Sequence, residues 1–552
     1  MKIRKIYIIL LGAMLCLVSC NNYLTLTPTD SASDKLVWSS PTYAQLAVND
    51  FYHYLYYLGN FGSGDCDAGM TEALTDEFKY GSANYNAMCY IPSEISYGGS
   101  TLTANYVDVY LGNWSTDYGY ICRINEAIYK MKKYSSFTDA DTKNLMGQMR
   151  FFRGYIYLDL MKRYKQVILY DENMDNYKNN TALSSDSTCW NFVEADFEYA
   201  AHNLSASGVP DNGITKGAAF AMLSRAMLYA QRWNVAKAAA DSVINSGLYK
   251  LTGSYANAQN RDSDEAILQY AFDTKNYTTY HSFDSYYAPG GDKAADGNNI
   301  SGGYGTPTQE IVESYELATG GFPDWSLWHN TTTGTDSVPP YSKLEPRFAA
   351  SILYNGSSWK GRKIEPYVGG TDGWCTWFVD SAPDGRTTTG YYLRKLVDES
   401  HHFTVTQNST QPWTVIRYAE VLLNYAEACY QTKDYADANA AIRKIRTRVG
   451  LPYADKSSAD LMAAIRQERK VELAFEGQYY WDMRRWGLAE SAFSNYRTHG
   501  LKIVKNDDDT YTYTYVETDT KDREFPSKMY RFPLPQTEIA NNSAVSQFAD
   551  WK

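Results

Sequence analysis

A chain of 552 residues with 44% hydrophobic side chains has length for about three or four ordinary domains and can bury a large core. Its 63 acidic residues outnumber the 52 basic ones, and a formal charge of −11 argues against nucleic acid or an anionic lipid surface as a partner. Eight cysteines without a C-x-x-C pair indicate neither a zinc site nor a dense disulfide framework, whereas 50 tyrosines supply side chains that both pack and hydrogen-bond and so suit amphipathic ligands.

The first element is an export signal. Lys2, Arg4 and Lys5 form a basic start, residues 6–18 are almost wholly apolar, and Leu17-Val18-Ser19-Cys20 sets a cysteine in the cleavage acceptor position. This pattern predicts a lipoprotein signal peptide over 1–19, lipidation of Cys20 and a lipidated tether over 20–35. Residues 6–18 are too few to span hydrocarbon, whereas two or more acyl chains give stable anchoring, so the expected chain is tethered to a membrane without crossing it. Loss of the three basic residues in the signal leaves 49 Lys+Arg against 63 Asp+Glu, a net charge of about −14.

Ser40-Pro41 opens the next element, a helix in which Ala44, Ala47, Val48, Phe51, Leu55 and Leu58 recur at helical spacing. The Gly-, Asn- and Ser-rich stretch 59–105 reads as a long loop. Helical pattern returns from about Trp114 to Tyr134 and from about Thr142 to Tyr164, and Gly217 to Ser246 reads as two helices broken at Arg232-Trp233-Asn234. Between about 250 and 410 the period dissolves into Gly, Thr, Asn, Pro and aromatic residues with only short strands or turns, as in a loop-rich ligand region. Helical pairs resume over 414–449 and 459–487.

Leu223, Ala226, Gln231, Ala236, Ala238 and Ala240 match Leu423, Ala426, Gln431, Ala436, Ala438 and Ala440 at one fixed offset, which marks two copies of one helix-turn-helix unit. In the second copy Tyr418, Val421, Leu422, Tyr425, Ala426 and Cys429 make one apolar face, and Ala438, Ala441, Ile442, Ile445 and Val449 make the facing one. Small alanines let antiparallel helices approach closely, the packing of tetratricopeptide-type repeats. A long insertion disperses the copies.

Three blocks carry a resemblance. Ile416-Arg417-Tyr418-Ala419-Glu420-Val421-Leu422-Leu423-Asn424-Tyr425-Ala426-Glu427-Ala428, then Ile465-Arg466-Gln467-Glu468-Arg469-Lys470-Val471-Glu472-Leu473-Ala474-Phe475-Glu476-Gly477, then Trp481-Asp482-Met483-Arg484-Arg485-Trp486-Gly487 resemble the SusD/RagB family of Bacteroidetes surface lipoproteins. Arg531-Phe532-Pro533-Leu534-Pro535 with Glu538, Ile539 and Asn541 is similar to the family's closing segment, and Arg150-Phe151-Phe152-Arg153-Gly154-Tyr155 and Thr215-Lys216-Gly217-Ala218-Ala219 look like earlier blocks. Three departures stand out: Tyr479 where the family often has arginine, Lys165-Gln166-Val167-Ile168 in place of a Gly-x-x-Pro turn, and Ser543 in place of a common proline.

The resemblance implies a mainly α, SusD-like domain over 36–552. In it, four dispersed tetratricopeptide-type helix pairs form a scaffold over about 36–58, 114–246 and 414–490, and a loop-rich ligand-binding part fills about 59–105 and 250–410. It further implies an outer-membrane, lipid-anchored protein facing the cell exterior. Such a protein captures glycan and passes it to a SusC-like TonB-dependent transporter, without chemistry on the substrate and without a required cofactor. The charged motif residues Arg417, Glu420, Glu427, Glu468, Arg469, Glu476, Asp482 and Arg485 are expected in buried ion pairs and helix caps.

Ligand contacts are expected from loops, where a flat aromatic takes the C–H face of a pyranose and polar groups take its rim. Thr75-Asp76-Glu77 followed by Tyr80, Tyr85 and Tyr90 resembles the family's early ligand loop, which gives Tyr80, Asn84 and Tyr85 as candidates. Tyr280, Tyr286 and Tyr287 before Gly290-Gly291, with Tyr304, make a second group, and Trp374 and Trp377 among glycines make a third.

Catalytic signatures are missing. There is no H-E-x-x-H or G-x-S-x-G, the stretch Gly356 to Lys363 misses the phosphate-loop pattern, and His401-His402 has no third ligand in spacing range. Asp507-Asp508-Asp509 reads as a solvated turn whose oxygens would also fit a structural calcium ion. Two further functions compete with glycan capture: a RagB-like peptide-binding import lipoprotein, and a surface glycoside hydrolase, whose paired carboxylates no spacing rule reveals.

Overall fold

Capping side chains fix where several helices start. Thr138 Oγ1 accepts from Asp141 N, Ser185 Oγ from Thr188 N and Thr215 Oγ1 from Ala218 N, each satisfying a backbone donor that a helix leaves free at its N-terminus. Pro41 occupies the first helical position, where its missing N–H costs nothing. This computed structural model describes residues 33–57, 71–80, 95, 102–174, 177–178, 180–206, 213–272, 280–293, 302–375, 387–401 and 409–552. Cys20, Asn84, Tyr85, Tyr90, Trp377 and His402 lie outside the described residues.

The scaffold helices are α1 (Pro41–Asn49), α2 (Trp114–Tyr134), α3 (Asp139–Tyr164), α4 (Asp186–Asn203), α5 (Lys216–Tyr229), α6 (Trp233–Asn245), α7 (Tyr418–Gln431), α8 (Tyr435–Arg448), α9 (Ser458–Glu472) and α10 (Tyr479–Arg485). From α2 to α9 each packs on the next in sequence, and the stack passes directly from α6 to α7 although residues 246–417 lie between them. This is consistent with tetratricopeptide-type pairing, with the insertion looped out of the stack. Among the described residues no helix is long and apolar enough to cross a membrane.

The helix-turn-helix unit does repeat, but in a different register from the one the alanines suggest. α5 and α7 begin at Lys216 and Tyr418, α6 and α8 at Trp233 and Tyr435, and the left-handed residues in the two turns are Gln231 and Lys433. Each pair is 202 positions apart rather than 200. Burial agrees: Ala236, Ala239, Ala240 and Val243 are buried, and so are Ala438, Ala441, Ile442 and Ile445, whereas Ala436 is exposed. Alanine recurs too densely in these helices for identity to set the register; the face turned to the core sets it.

Helix α4 is missing from the elements read off the sequence, although Ser185 caps it and Cys189, Trp190, Val193, Phe197 and Ala200 line its buried face. The same face buries Asp196, which receives Arg153 of α3 through two bonds of 2.7 and 2.8 Å. Gly154 of α3 brings the two helices together there, since a Cβ at that position would lie 3.3 Å from the Asp196 Cβ. The block Arg153-Gly154 thus provides both the charge and the clearance for the α3–α4 crossing.

The strands are β1 (Phe78–Tyr80), β2 (Ala266–Tyr270), β3 (Gly305–Pro307), β4 (Ile352–Leu353), β5 (Ser358–Trp359), β6 (Arg362–Lys363), β7 (Tyr392–Leu393), β8 (Trp413–Arg417), β9 (His499–Lys505) and β10 (Tyr511–Glu517). They form antiparallel two-stranded ladders: β1 with β3, β2 with β8, β4 with β7, β5 with β6, and β9 with β10. The β2–β8 ladder closes the base of the insertion, with Ala266 opposite Arg417 and Tyr270 opposite Trp413. Residues 414–417, expected to be helical, are therefore part of a strand, because Thr414, Ile416 and Arg417 pair with Gln269, Leu268 and Ala266 before α7 begins.

Buried charges weld the insertion to the stack. Arg417 bonds Glu265 and Glu472 at 2.8 Å and Glu476 at 2.7 Å; Arg347 bonds Glu345 and Glu468 at 2.6 Å and Glu472 at 3.0 Å. Arg448 reaches Glu265 and Glu472, Arg446 reaches Glu316 and Glu468, and Lys395 reaches Glu476. The remaining motif charges pair as Arg225–Glu420, Arg469–Asp482 and Arg485 with both Glu427 and Asp482. Burial pushes the Glu472 carboxyl up, but Arg448, Arg417 and Arg347 together outweigh it and hold it well below the usual carboxylate range.

Candidate functional site

Strand β1 is held from both sides. It pairs with β3, Tyr80 facing Gly305, and Thr308 N donates to Glu77 O at 3.2 Å. Behind it Arg523 donates to the carbonyls of Ala73, Thr75 and Phe78, and the buried Lys79 sits 2.9 Å from Asp519. Asp76 is taken by Lys470 at 2.8 Å. Gly305 permits the pairing, since a Cβ there would lie 1.9 Å from the Phe78 ring.

This packing corrects two expectations. Tyr80 and Tyr287 are fully buried, each at 0% exposure, so neither ring presents a face to a ligand in this conformation. Phe78 packs between them, 6.4 Å from the Tyr80 ring centroid and 6.1 Å from that of Tyr287. Acidic loop residues are likewise internal: burial pushes the Glu72 carboxyl up to about 7, and burial together with nearby Glu72 holds that of Glu77 well above its ordinary value.

Tyr286 and Tyr304 behave differently. Both are half-buried, their ring centroids lie 4.9 Å apart at an interplanar angle of 51°, and Tyr304 N donates to Tyr286 O at 2.9 Å. Gly302 makes the approach possible: its φ is +142°, and a Cβ would lie 2.4 Å from Ala288 O.

The turn that follows Tyr286 is clamped to the loop that carries Trp374. Gly291 N donates to Asp372 Oδ1 at 3.0 Å, Arg362 bridges Asp372 at 2.7 Å and Asp292 at 2.6 Å, and Trp359 Nε1 donates to Asp292. Trp374, half-buried, lies two residues beyond Asp372. Loops far apart in sequence, 286–292, 302–305 and 372–374, are thus joined into one support that carries two phenols and, two residues beyond Asp372, an indole.

Tyr280 is 47% exposed and adjoins an aromatic row that sequence reasoning passed over. His53 Nδ1 lies 2.8 Å from the Tyr270 hydroxyl, the Tyr56 ring stacks on Tyr270 at 5.5 Å, and Phe272 carries the row to His281. The row joins α1's downstream turn to β2, and only their juxtaposition reveals it. Local sequence held one hint, the run Tyr52-His53-Tyr54 followed by Tyr56.

The Asp507 to Asp509 run forms the β9–β10 turn. Asp508 accepts from Thr510 N and Oγ1, and Asp509 pairs with Lys505 at 2.7 Å. Among the described residues no group of three or more His, Cys, Asp or Glu is arranged to hold a metal ion.

Comparisons with known proteins agree with this architecture. The model described as "Starch-binding associating with outer membrane" matches residues 40–228. A SusD-like protein of Bacteroides ovatus is 24% identical over 424 residues, covering 74% of this chain and 72% of its own. SusD-like protein P38 of Formosa agariphila is 24% identical over 513 residues, covering 85% of this chain and 89% of its own. Among solved structures, a SusD-like protein of Bacteroides fragilis superposes with a TM-score of 0.75 at 26% identity, covering 94% of this chain and 98% of its own. A SusD-like carbohydrate-binding protein of the same species gives a TM-score of 0.75 at 22% identity, covering 92% of this chain and all of its own. The SusD family model itself matches residues 264–551, more than half of the sequence, and the chain belongs to the SusD family.

Proposed function

We propose that this protein is a non-catalytic glycan-binding lipoprotein of the outer-membrane surface, anchored through Cys20, that captures oligo- or polysaccharide and passes it to a SusC-like TonB-dependent transporter. The observation that carries the reading is the Tyr286–Tyr304 pair, two half-buried rings on a clamped loop support. A sugar ring offers an apolar C–H face and a rim of hydroxyls, and phenols match both. A relative whose name is SusD-like carbohydrate-binding protein, superposing over 92% of the chain, supports the ligand class. Tyr280, Trp374, Asn84, Tyr85 and Trp377 are added to the proposed contacts on the sequence pattern alone.

A screen of soluble polysaccharides by affinity electrophoresis tests the reading. At least one neutral polysaccharide should retard the protein, and the double variant Tyr286→Ala/Tyr304→Ala should weaken retardation by about tenfold or more, two stacked rings being worth about 1 kcal/mol each. Incubation should release no reducing sugar. Retardation unchanged in the double variant sinks the site, sugar release establishes the hydrolase reading, and binding of an oligopeptide library without any polysaccharide establishes the peptide-import reading.

A further inference from the structure

The insertion holds another concavity, of about 540 Å³, that shares no lining residue with the tyrosine pair. Its walls are the turn through Asn257 and Gln259, the end of the helix Pro346–Ser351, the turn Arg394 to Ser400, and Gln411 just before β8. The volume lies within the range of small-ligand sites.

Its cations are already engaged. Arg394 bonds Glu399 and the Ala349 carbonyl, and Lys395 is drawn behind the wall by Glu476 and the Tyr255 hydroxyl, both at 2.6 Å. Among the described residues that line the cavity, no cation is left without a carboxylate partner. Polar groups line the space besides these cations: the carboxamides of Asn257, Gln259 and Gln411 and the Asp398 carboxylate. Gln259 is only 6% exposed, its backbone carbonyl is held by Gln411 Nε2 at 2.8 Å, and its own Nε2 has no hydrogen-bond partner among the described residues. A buried amide donor in that state costs about 1–3 kcal/mol, which a turn of the carboxamide toward an acceptor in the cavity would recover. Asp398 keeps one carboxylate oxygen on the Ser400 N–H and hydroxyl at 2.8 and 2.7 Å, and Asn257 stands exposed at the rim. Between these polar groups the floor is small and apolar, Ala349, Ala350, Leu396 and Val397.

We infer that this pocket is an independent binding site for a short neutral oligosaccharide, whose hydroxyls both donate and accept as the surrounding carboxamides and carboxylate require. The lining consists of turns and a helix end, not of a strand edge along which a peptide backbone could pair. With no aromatic face free, since the Tyr255 ring is flanked by Lys395 and Arg448 at 5.0 and 5.1 Å, binding is weak and serves to hold a second stretch of a chain captured elsewhere. The inference rests on the glycan reading for the class of ligand alone.

Methyl-resolved NMR of the protein labelled at Ala, Leu and Val tests it, with maltotriose, cellotriose, xylotriose and trialanine as probes. At least one trisaccharide should shift the Ala349, Ala350 and Val397 methyls with a millimolar midpoint, equally in the parent and in Tyr286→Ala/Tyr304→Ala. Gln259→Met, whose unchanged methyl spectrum without sugar confirms the fold, should weaken that response by about fivefold. The inference is overturned if none of the trisaccharides shifts these methyls below about 50 mM, a concentration at which even very weak sites fill, if Gln259→Met responds like the parent, or if trialanine acts at lower concentration. Loss of polysaccharide retardation in the double-tyrosine variant with the methyl response kept separates this site from the first.

Discussion

Glu72 and Glu77 show how far a residue's role departs from its type. Two carboxyls at the head of an expected ligand loop are instead internal, Glu72 accepting from Gly477 N and Glu77 having no hydrogen-bond partner for either carboxylate oxygen among the described residues. Their pH dependence follows by linkage. A carboxyl raised from 4.5 to about 7 keeps, in the folded chain, a proton that the unfolded chain has released, so its contribution is complete below pH 4.5 and is lost as pH rises through 7. Glu72→Gln, which keeps the acceptor for Gly477, should therefore stabilise the protein by on the order of 3 kcal/mol at pH 8 and by almost nothing at pH 4.5. Urea midpoints of variant and parent at the two pH values measure this, and an equal difference at both would contradict the assignment.

Among the elements, helix ends carried most of the information that local sequence can hold. The helix predicted from Trp114 to Tyr134 has those bounds in the structure, and the break predicted at residues 232–234 falls at the turn before Trp233. The departure at Lys165 also resolves here. It closes α3 with φ +61°, a left-handed cap that favours glycine, so lysine at this position stores strain that a glycine would release. Lys165→Gly should raise stability by about 0.5–1 kcal/mol, read as a higher urea midpoint with unchanged m-value. Ser543, the other loop departure, turns its N–H and hydroxyl to Asn180 at 2.9 and 3.0 Å and so ties the closing segment down without a proline.

At the scale of the whole molecule the insertion and the stack are two parts joined by buried ion pairs. Breaking such a set by removing one partner leaves charges uncompensated and costs about 3–5 kcal/mol. Arg417→Met takes one cation from Glu265, Glu472 and Glu476 at once, leaving Arg448, Arg347 and Lys395 to hold them, and hydrogen exchange should rise across β2, β8 and the 390s turn while α2 to α5 keep their protection. Uniform loss of protection would instead mean that the two parts unfold as one.

Legible in the sequence was whatever depends on neighbours along the chain: the helical period of most scaffold segments and a family resemblance carried by short ordered motifs. The motif charges could also be assigned to the frame, since eight ionisable groups set among apolar neighbours in segments of helical pattern need partners more than they need solvent. Tertiary structure alone decided the rest. Tyr80 and Tyr287 look no different in sequence from Tyr286 and Tyr304, yet two are sealed against Phe78 and two share a half-open surface, because exposure is set by which distant loop folds over a ring. The repeat register, the α6–α7 junction across residues 246–417 and the amide-lined pocket have the same origin: each is a contact between segments far apart in the chain, and no local pattern encodes which of many compatible surfaces will meet.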